Sequence, residues 1–360
     1  MQSAAGRYGF LDGLRGWGAV FVLLYHVFCD VLPPHAPIAR TMSLLIPFNG
    51  VFAVYVFFIV SGFSLTIDYL VRGDLSALTR IAAGRYLRLA IPVFLACLVV
   101  HLALLWGLIG PPSERLPVFQ QAIHFEPTTS HLFRFAFFDV FFNYQNSDTY
   151  IRPLWTMSYE LIGSFIVLAA ALVLRPLKAR LLILLILLGV LLNIPALALF
   201  ALFPIGFLLA DALNRGWLDD RPFLGSILLA AGASIPLLLP HSPRLWELAA
   251  VAVVCGSISI PRVRRFLENP TSLHLGKICF PLYLMHGPVM WIVGDPLTRN
   301  FGHTIGLRLS VDLLVVAISF AASYAFLPAN NLGIWLARRA GAMAAAGIAL
   351  ARLARASPTR

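Results

Sequence analysis

Charge is what this sequence has least of. Only 12% of its 360 residues are Asp, Glu, Lys or Arg, against 59% hydrophobic ones, where a soluble globule typically carries about 25% charge. A water-soluble body is therefore excluded, and the mean hydropathy of +0.84 points to a polytopic membrane protein. Cysteine is also scarce: Cys29, Cys97, Cys255 and Cys279 stand singly in apolar runs, without the paired spacing of a redox or metal site, and read as small buried hydrophobes. Absent too are a serine-elbow motif, a phosphate-binding lysine loop, a cluster of metal-ligating residues, an internal repeat and a soluble catalytic domain. These absences argue against a protein nucleophile or a metal-bound water.

What remains is a series of apolar runs. Each is near the ~20 residues that cross a bilayer as a helix, and they fall at 11–32, 44–68, 88–110, 154–174, 181–197, 199–213, 223–240, 246–261, 278–294 and 307–327. The expectation is an all-α membrane protein of ten spans, with Pro195 and Pro204 leaving open that 181–213 is one broken element. The first run is long and lacks a small-residue cleavage site, so it reads as a retained span rather than a signal peptide. With the N-terminus in the cytoplasm, all but seven of the 27 Lys and Arg residues fall inside, the exceptions being Arg40, Arg115, Arg134, Arg152, Arg244, Arg299 and Arg308. This asymmetry sets the orientation and puts both termini on the same face. It also accounts for the formal charge of +11 without nucleic acid as a partner.

Two domains are expected: a transmembrane body over 1–330 and a basic cytoplasmic tail over 331–360, an Ala- and Arg-rich helix suited to anionic lipid. The longest connection, 111–153, lies outside. Within it the aromatic stretch "RFAFFDVFFNY", 134–144, reads equally as a re-entrant cap or as an amphipathic helix on the membrane.

Ionisable groups inside apolar runs are costly and so read as functional. At about 1.5 Å per residue, His26 lies roughly 9 Å below the outer surface, Glu160 at about the same depth, and His286 within about 3 Å of it. Three groups from three distant spans thus share one layer. Arg15 lies about 16 Å deeper on the His26 helix, and Arg85 and Arg88, at i and i+3, share one face at the inner start of the third span. Together these arginines suit a ligand with several phosphates, although the positive-inside rule accounts for the last two equally well. Ser61 and Gly62 fit close helix packing or passage of a thin chain. Asp30, four residues after His26, competes with Glu160 to orient the imidazole.

A His beside a carboxylate is a general base. Acyl transfer from a phosphate-bearing thioester inside to a hydroxyl outside would use all of these groups. The segments "LDGLRGWGAVFVLLYH", "VFFIVSGFSLT", "RYLRLAIPVF", "PLWTMSYEL" and "FPLYLMHGP" also resemble, in order, acyltransferase family 3, integral-membrane enzymes that O-acylate surface and secreted glycans. The resemblance covers 10–295. It implies ten spans, acyl-CoA (first acetyl-CoA) as donor and co-substrate, and no bound cofactor or metal. It also implies His26 as the essential catalytic residue with Glu160 beside it, and Arg15, Arg85, Arg88 and Ser61 at the donor. Trp155, Tyr159, His286 and Asp30 are placed at a glycan or glycolipid acceptor. Tyr159 departs from the small or aliphatic residue usual before the acidic position, and Cys279 or Pro281 stands where the family's ninth-span motif usually has Ser. The expected location is a bacterial inner membrane, with membrane lipid as a partner and homo-oligomerisation open. The competing class is a transporter of a small anion or acylated glycan precursor, which buried His and Glu groups and proline-broken helices also fit.

Overall fold

Each of the ten apolar runs supplies a helix. The computed structural model describes residues 8–30, 37–177 and 180–356, and every regular element among them is helical. Arg7, Lys178 and Arg360, and the end of the first run at 31–32, lie outside the described residues. The helices are α1 Gly9–Tyr25, α2 Gly50–Arg72, α3 Leu75–Leu105, α4 Thr156–Leu174, α5 Arg180–Asn193, α6 Leu202–Asn214, α7 Pro222–Leu238, α8 Pro243–Ser259, α9 Pro270–Val289, α10 Ile305–Ala325 and α11 Leu327–Ala356. Five segments among the described residues are long and apolar enough to cross a membrane: α2, α3, Arg152–Leu174, Leu197–Asn214 and α10. A sixth arises if α8 is counted with the short helix Pro261–Leu267, which bends from it by 95°.

Local chemistry sets the helix ends. The Asn49 side chain accepts from Phe52 N at 2.9 Å, and Asp74 does the same for Ser76 N at 2.9 Å, each satisfying a first-turn donor that would otherwise be orphaned. Between α2 and α3, Gly73 takes φ +69°, the left-handed residue that closes a helix and lets the chain reverse. Pro195 opens a 3-10 segment, Pro195–Ala201, between α5 and α6; proline has no N–H to continue the preceding helix. The run 181–213 is therefore two α-helices joined by a break.

α1 is central, packed on α9 and α2, while α2 packs on α6, α4 and α8. Small residues make the closest crossings. A Cβ on Gly16 would lie 2.6 Å from Gly276 N, and one on Gly62 would lie 2.1 Å from the Phe203 carbonyl oxygen, so α1/α9 and α2/α6 meet backbone to backbone. Gly62 thus serves helix packing. Two apolar clusters result, one around α1, α3 and α9, the other around α2, α4, α6 and α8.

The aromatic stretch in the long connection is helical over 129–142, with a π-turn at Phe135–Asp139. Phe135 and Phe141 are buried while Phe133, Phe138 and Phe142 are exposed, so one face packs against α3 and α4 and the other is open. At the far end of the chain, position 331 falls inside α11. That helix runs along α3, with Gly333 against Pro92 and Gly341 against the Arg80 carbonyl.

Candidate active site

α1 carries both ends of the site. Its α-helical part holds Arg15, and at His26 the backbone changes to a π-helical segment, His26–Asp30, a local widening frequent at functional positions. Within it His26 Nδ1 lies 2.5 Å from Asp30 Oδ2. Since a carboxylate accepts, the Nδ1 proton is fixed there and Nε2 is left as the free lone pair. The His26 ring stacks on that of His286, centroids 5.2 Å apart at 26°. His286 is 1% exposed, donates from Nδ1 to the Leu282 carbonyl at 3.1 Å, and has Nε2 buried with no partner among the described residues.

The arginines gather around Glu160 instead. Arg85 binds Glu160 Oε1 through Nη2 and Ser164 Oγ through Nε at 2.8 Å. Ser61 donates to the same Glu160 oxygen at 2.6 Å and accepts from Arg15 Nη2 at 3.3 Å. Arg88 donates to Asn330 Oδ1 at 3.0 Å and lies over the Phe280 ring at 5.1 Å. One carboxylate thus faces three guanidinium groups, which leaves the cluster net cationic. It lines a cavity of about 180 Å³ with apolar walls that include Phe57, Phe58, Leu89, Met157 and Phe280. Cys279 lies in the same wall.

A second cavity, of about 660 Å³, is lined by His26, Tyr144, Asn146, Arg152, Trp155, Ser158 and Tyr159, among others. The start of α4 divides the two. Thr156, Met157 and Glu160 line the basic cavity, while Trp155, Ser158, Tyr159 and Ile162 line the imidazole cavity, opposite faces of one helix by its 3.6-residue period. The partition is pinned by Tyr283, whose hydroxyl donates to the Pro153 carbonyl and pairs with Thr156 Oγ1 at 2.6 Å.

Of the residues singled out from sequence, Arg15, Ser61, Arg85, Arg88 and Glu160 are brought together, as are His26, Asp30 and His286. Glu160 and His26 do not meet. On α4 Glu160 meets Ser61 of α2 and Arg85 of α3, and Asp30 takes the place on His26 Nδ1. Trp155 and Tyr159 stand in the imidazole cavity; His286 lines neither cavity and backs His26. Sequence reasoning passed over Tyr283, Thr156 and Arg152. The one signal for Tyr283 was its position three residues before His286, on the same helical face. Outside the spans, burial pushes the Tyr144 phenol up to about 12, so it keeps its proton, and it donates to the Arg152 carbonyl at 2.7 Å.

A family model described as an acyltransferase domain, that of acyltransferase family 3, matches residues 8–327. The chain belongs to this family. No curated protein and no solved structure is significantly similar to it. Membership of acyltransferase family 3 together with the long apolar helices makes the protein a membrane acyltransferase.

Proposed function

We propose that the protein transfers an acyl group, acetyl first among the candidates, from cytoplasmic acyl-CoA to a hydroxyl of a glycan or glycolipid at the outer side of a bacterial inner membrane. In this reading ten helices cross the bilayer, both termini are cytoplasmic, and the basic cavity faces inward. The observation that carries the proposal is the pair of cavities on opposite faces of α4, one ringed by Arg15, Arg85 and Arg88, the other holding His26.

Phosphates of the donor would be held by the arginines, whose planar guanidinium forks suit phosphoryl oxygens, and the apolar walls suit the pantetheine arm. His26 Nε2 takes the proton of the acceptor hydroxyl as its oxygen attacks the thioester carbon. The carbon–sulfur bond then breaks, and the thiolate leaves with the proton returned from His26 Nε2. Asp30, held on Nδ1, stabilises the imidazolium formed in between. Glu160 organises the arginines, and His286 supports the His26 ring from behind.

The test is ester formation from labelled acetyl-CoA and extracted cell glycans by purified protein in proteoliposomes, read by mass spectrometry. Wild type should label glycan and His26→Ala should not, while remaining inserted and binding donor. Equal labelling by both would overturn the role of His26, and proton-coupled flux of substrate without a new ester would replace the reading by transport.

A further inference from the structure

Among the described residues, the lining of the imidazole cavity includes no acidic side chain and contains Arg152. This arginine is held in place, not loose on a surface. Its Nη1 donates to the Val118 carbonyl at 3.1 Å, its own carbonyl accepts from Tyr144, and the next residue, Pro153, is fixed by Tyr283. One of its five N–H donors is used by that bond to Val118. Asp30 is near enough to feel the Arg152 charge, but its carboxylate is engaged by His26 and no ion pair forms between them.

Several other arginines assigned to the same end of the bundle have a carboxylate partner, while the buried Arg115 instead gives its donors to the Gly110 and Ala122 carbonyls. Arg134 pairs with Asp139, Arg299 with Asp295 and Arg308 with Asp312. Among the described residues Arg152 has no such carboxylate, although a cation in a partly desolvated, apolar setting is costly without one. Trp155 and Tyr159 give the lining apolar surface that suits a pyranose, and Asn146 and Ser158 give it polar groups that suit hydroxyls.

We infer that the acceptor bound beside His26 carries an anionic group, a carboxylate or a phosphate, and that Arg152 is the residue that reads it. The inference rests on the imidazole cavity being the acceptor site. Charge complementarity at Arg152 would then choose which hydroxyl of the sugar is turned toward His26 Nε2, so that acylation falls near the acidic group. A guanidinium favours the flat, two-oxygen face of a carboxylate as well as phosphate, and the two are separated by experiment.

The test is calorimetric titration of the full-length protein, in nanodiscs of zwitterionic lipid, with methyl glucuronide, glucose 1-phosphate and the uncharged methyl glucoside. At least one charged sugar should bind ten-fold or more tighter than the neutral one, with a preference that weakens as salt is raised. Arg152→Gln, which keeps a donor for Val118, should remove the preference. Arg152→Lys should retain more of it for phosphate than for carboxylate, because the ammonium is a point charge without the fork. Equal affinity for charged and neutral sugars, no binding of either charged one, or a preference that survives Arg152→Gln would overturn the inference. So would loss of the preference when phosphatidylglycerol is added, which would assign Arg152 to a lipid headgroup. The titration reads binding and no ester. Failure here leaves acyl transfer standing, whereas anion binding without ester formation would remove the proposed reaction and leave the site.

Discussion

His26 and Asp30 face each other across one turn of π-helix, with Nδ1 and Oδ2 2.5 Å apart, while Glu160 is bound by Ser61 and Arg85. The two carboxylates therefore have separate tasks. Asp30→Asn should lower kcat by about 10²–10⁴-fold, the range lost when a general base keeps its place but loses its tautomer control, with donor affinity little changed. Glu160→Gln should act mainly through donor affinity. Ester formation at saturating donor, set beside equilibrium donor binding, separates the two. Loss of kcat by Glu160→Gln with normal donor binding would return Glu160 to the chemistry.

The Arg85–Glu160 pair is largely enclosed, its side chains 12% and 15% exposed. Removing one partner strands the other charge, and Arg85→Ala should destabilise by about 3–5 kcal/mol. The double variant Arg85→Ala with Glu160→Ala should be less destabilised than the sum of the singles, because neither member of this pair is left without the other. Thermal unfolding in detergent checks this, and additive losses would mean the pair is not coupled.

Tyr283→Phe keeps the ring and deletes the hydroxyl shared by Thr156 and the Pro153 carbonyl. Thr156 and the Pro153 carbonyl keep only the 3.3 Å bond between them, so the loss should be about 0.5–1.5 kcal/mol. The start of α4, which divides the cavities, should loosen, seen as faster amide hydrogen exchange over 154–160 by mass spectrometry. Unchanged exchange there would show that the hydroxyl does not pin the partition.

Gly62→Val puts branched carbon where a Cβ alone would already be 2.1 Å from the Phe203 carbonyl. α2 and α6 would have to part, with a cost of at least the ~1–3 kcal/mol typical of overpacking. The expected result is a lower unfolding temperature and less monodisperse protein on size exclusion, and wild-type behaviour would refute the backbone-to-backbone crossing.

Much of the fold is legible in the sequence because it is local. Each apolar run forms a helix, although the caps Asp74 and Asn269 start α3 and α9 well before the runs that begin at 88 and 278. Less was legible about crossing. Only five or six of these elements meet length and hydropathy requirements by themselves, since α5 has 14 residues and α9 carries Pro281 and Pro288 within a mixed sequence. The pairing of α11 with α3 was not legible either, because an Ala- and Arg-rich helix has no strong apolar face to announce its partner.

For the site, the sequence by itself determined the membership of acyltransferase family 3, the charged groups, and the spacing of those that share one helix, because rise per residue is nearly constant. Tertiary structure decided their azimuths. Only the rotation of each helix, set by contacts such as Gly16 on Gly276 and Gly62 on Phe203, puts Glu160 among the arginines and leaves Asp30 to His26. The same rotations turn α4 so that its two faces wall two different cavities. Height follows from counting residues along one helix, but facing depends on how several helices pack together.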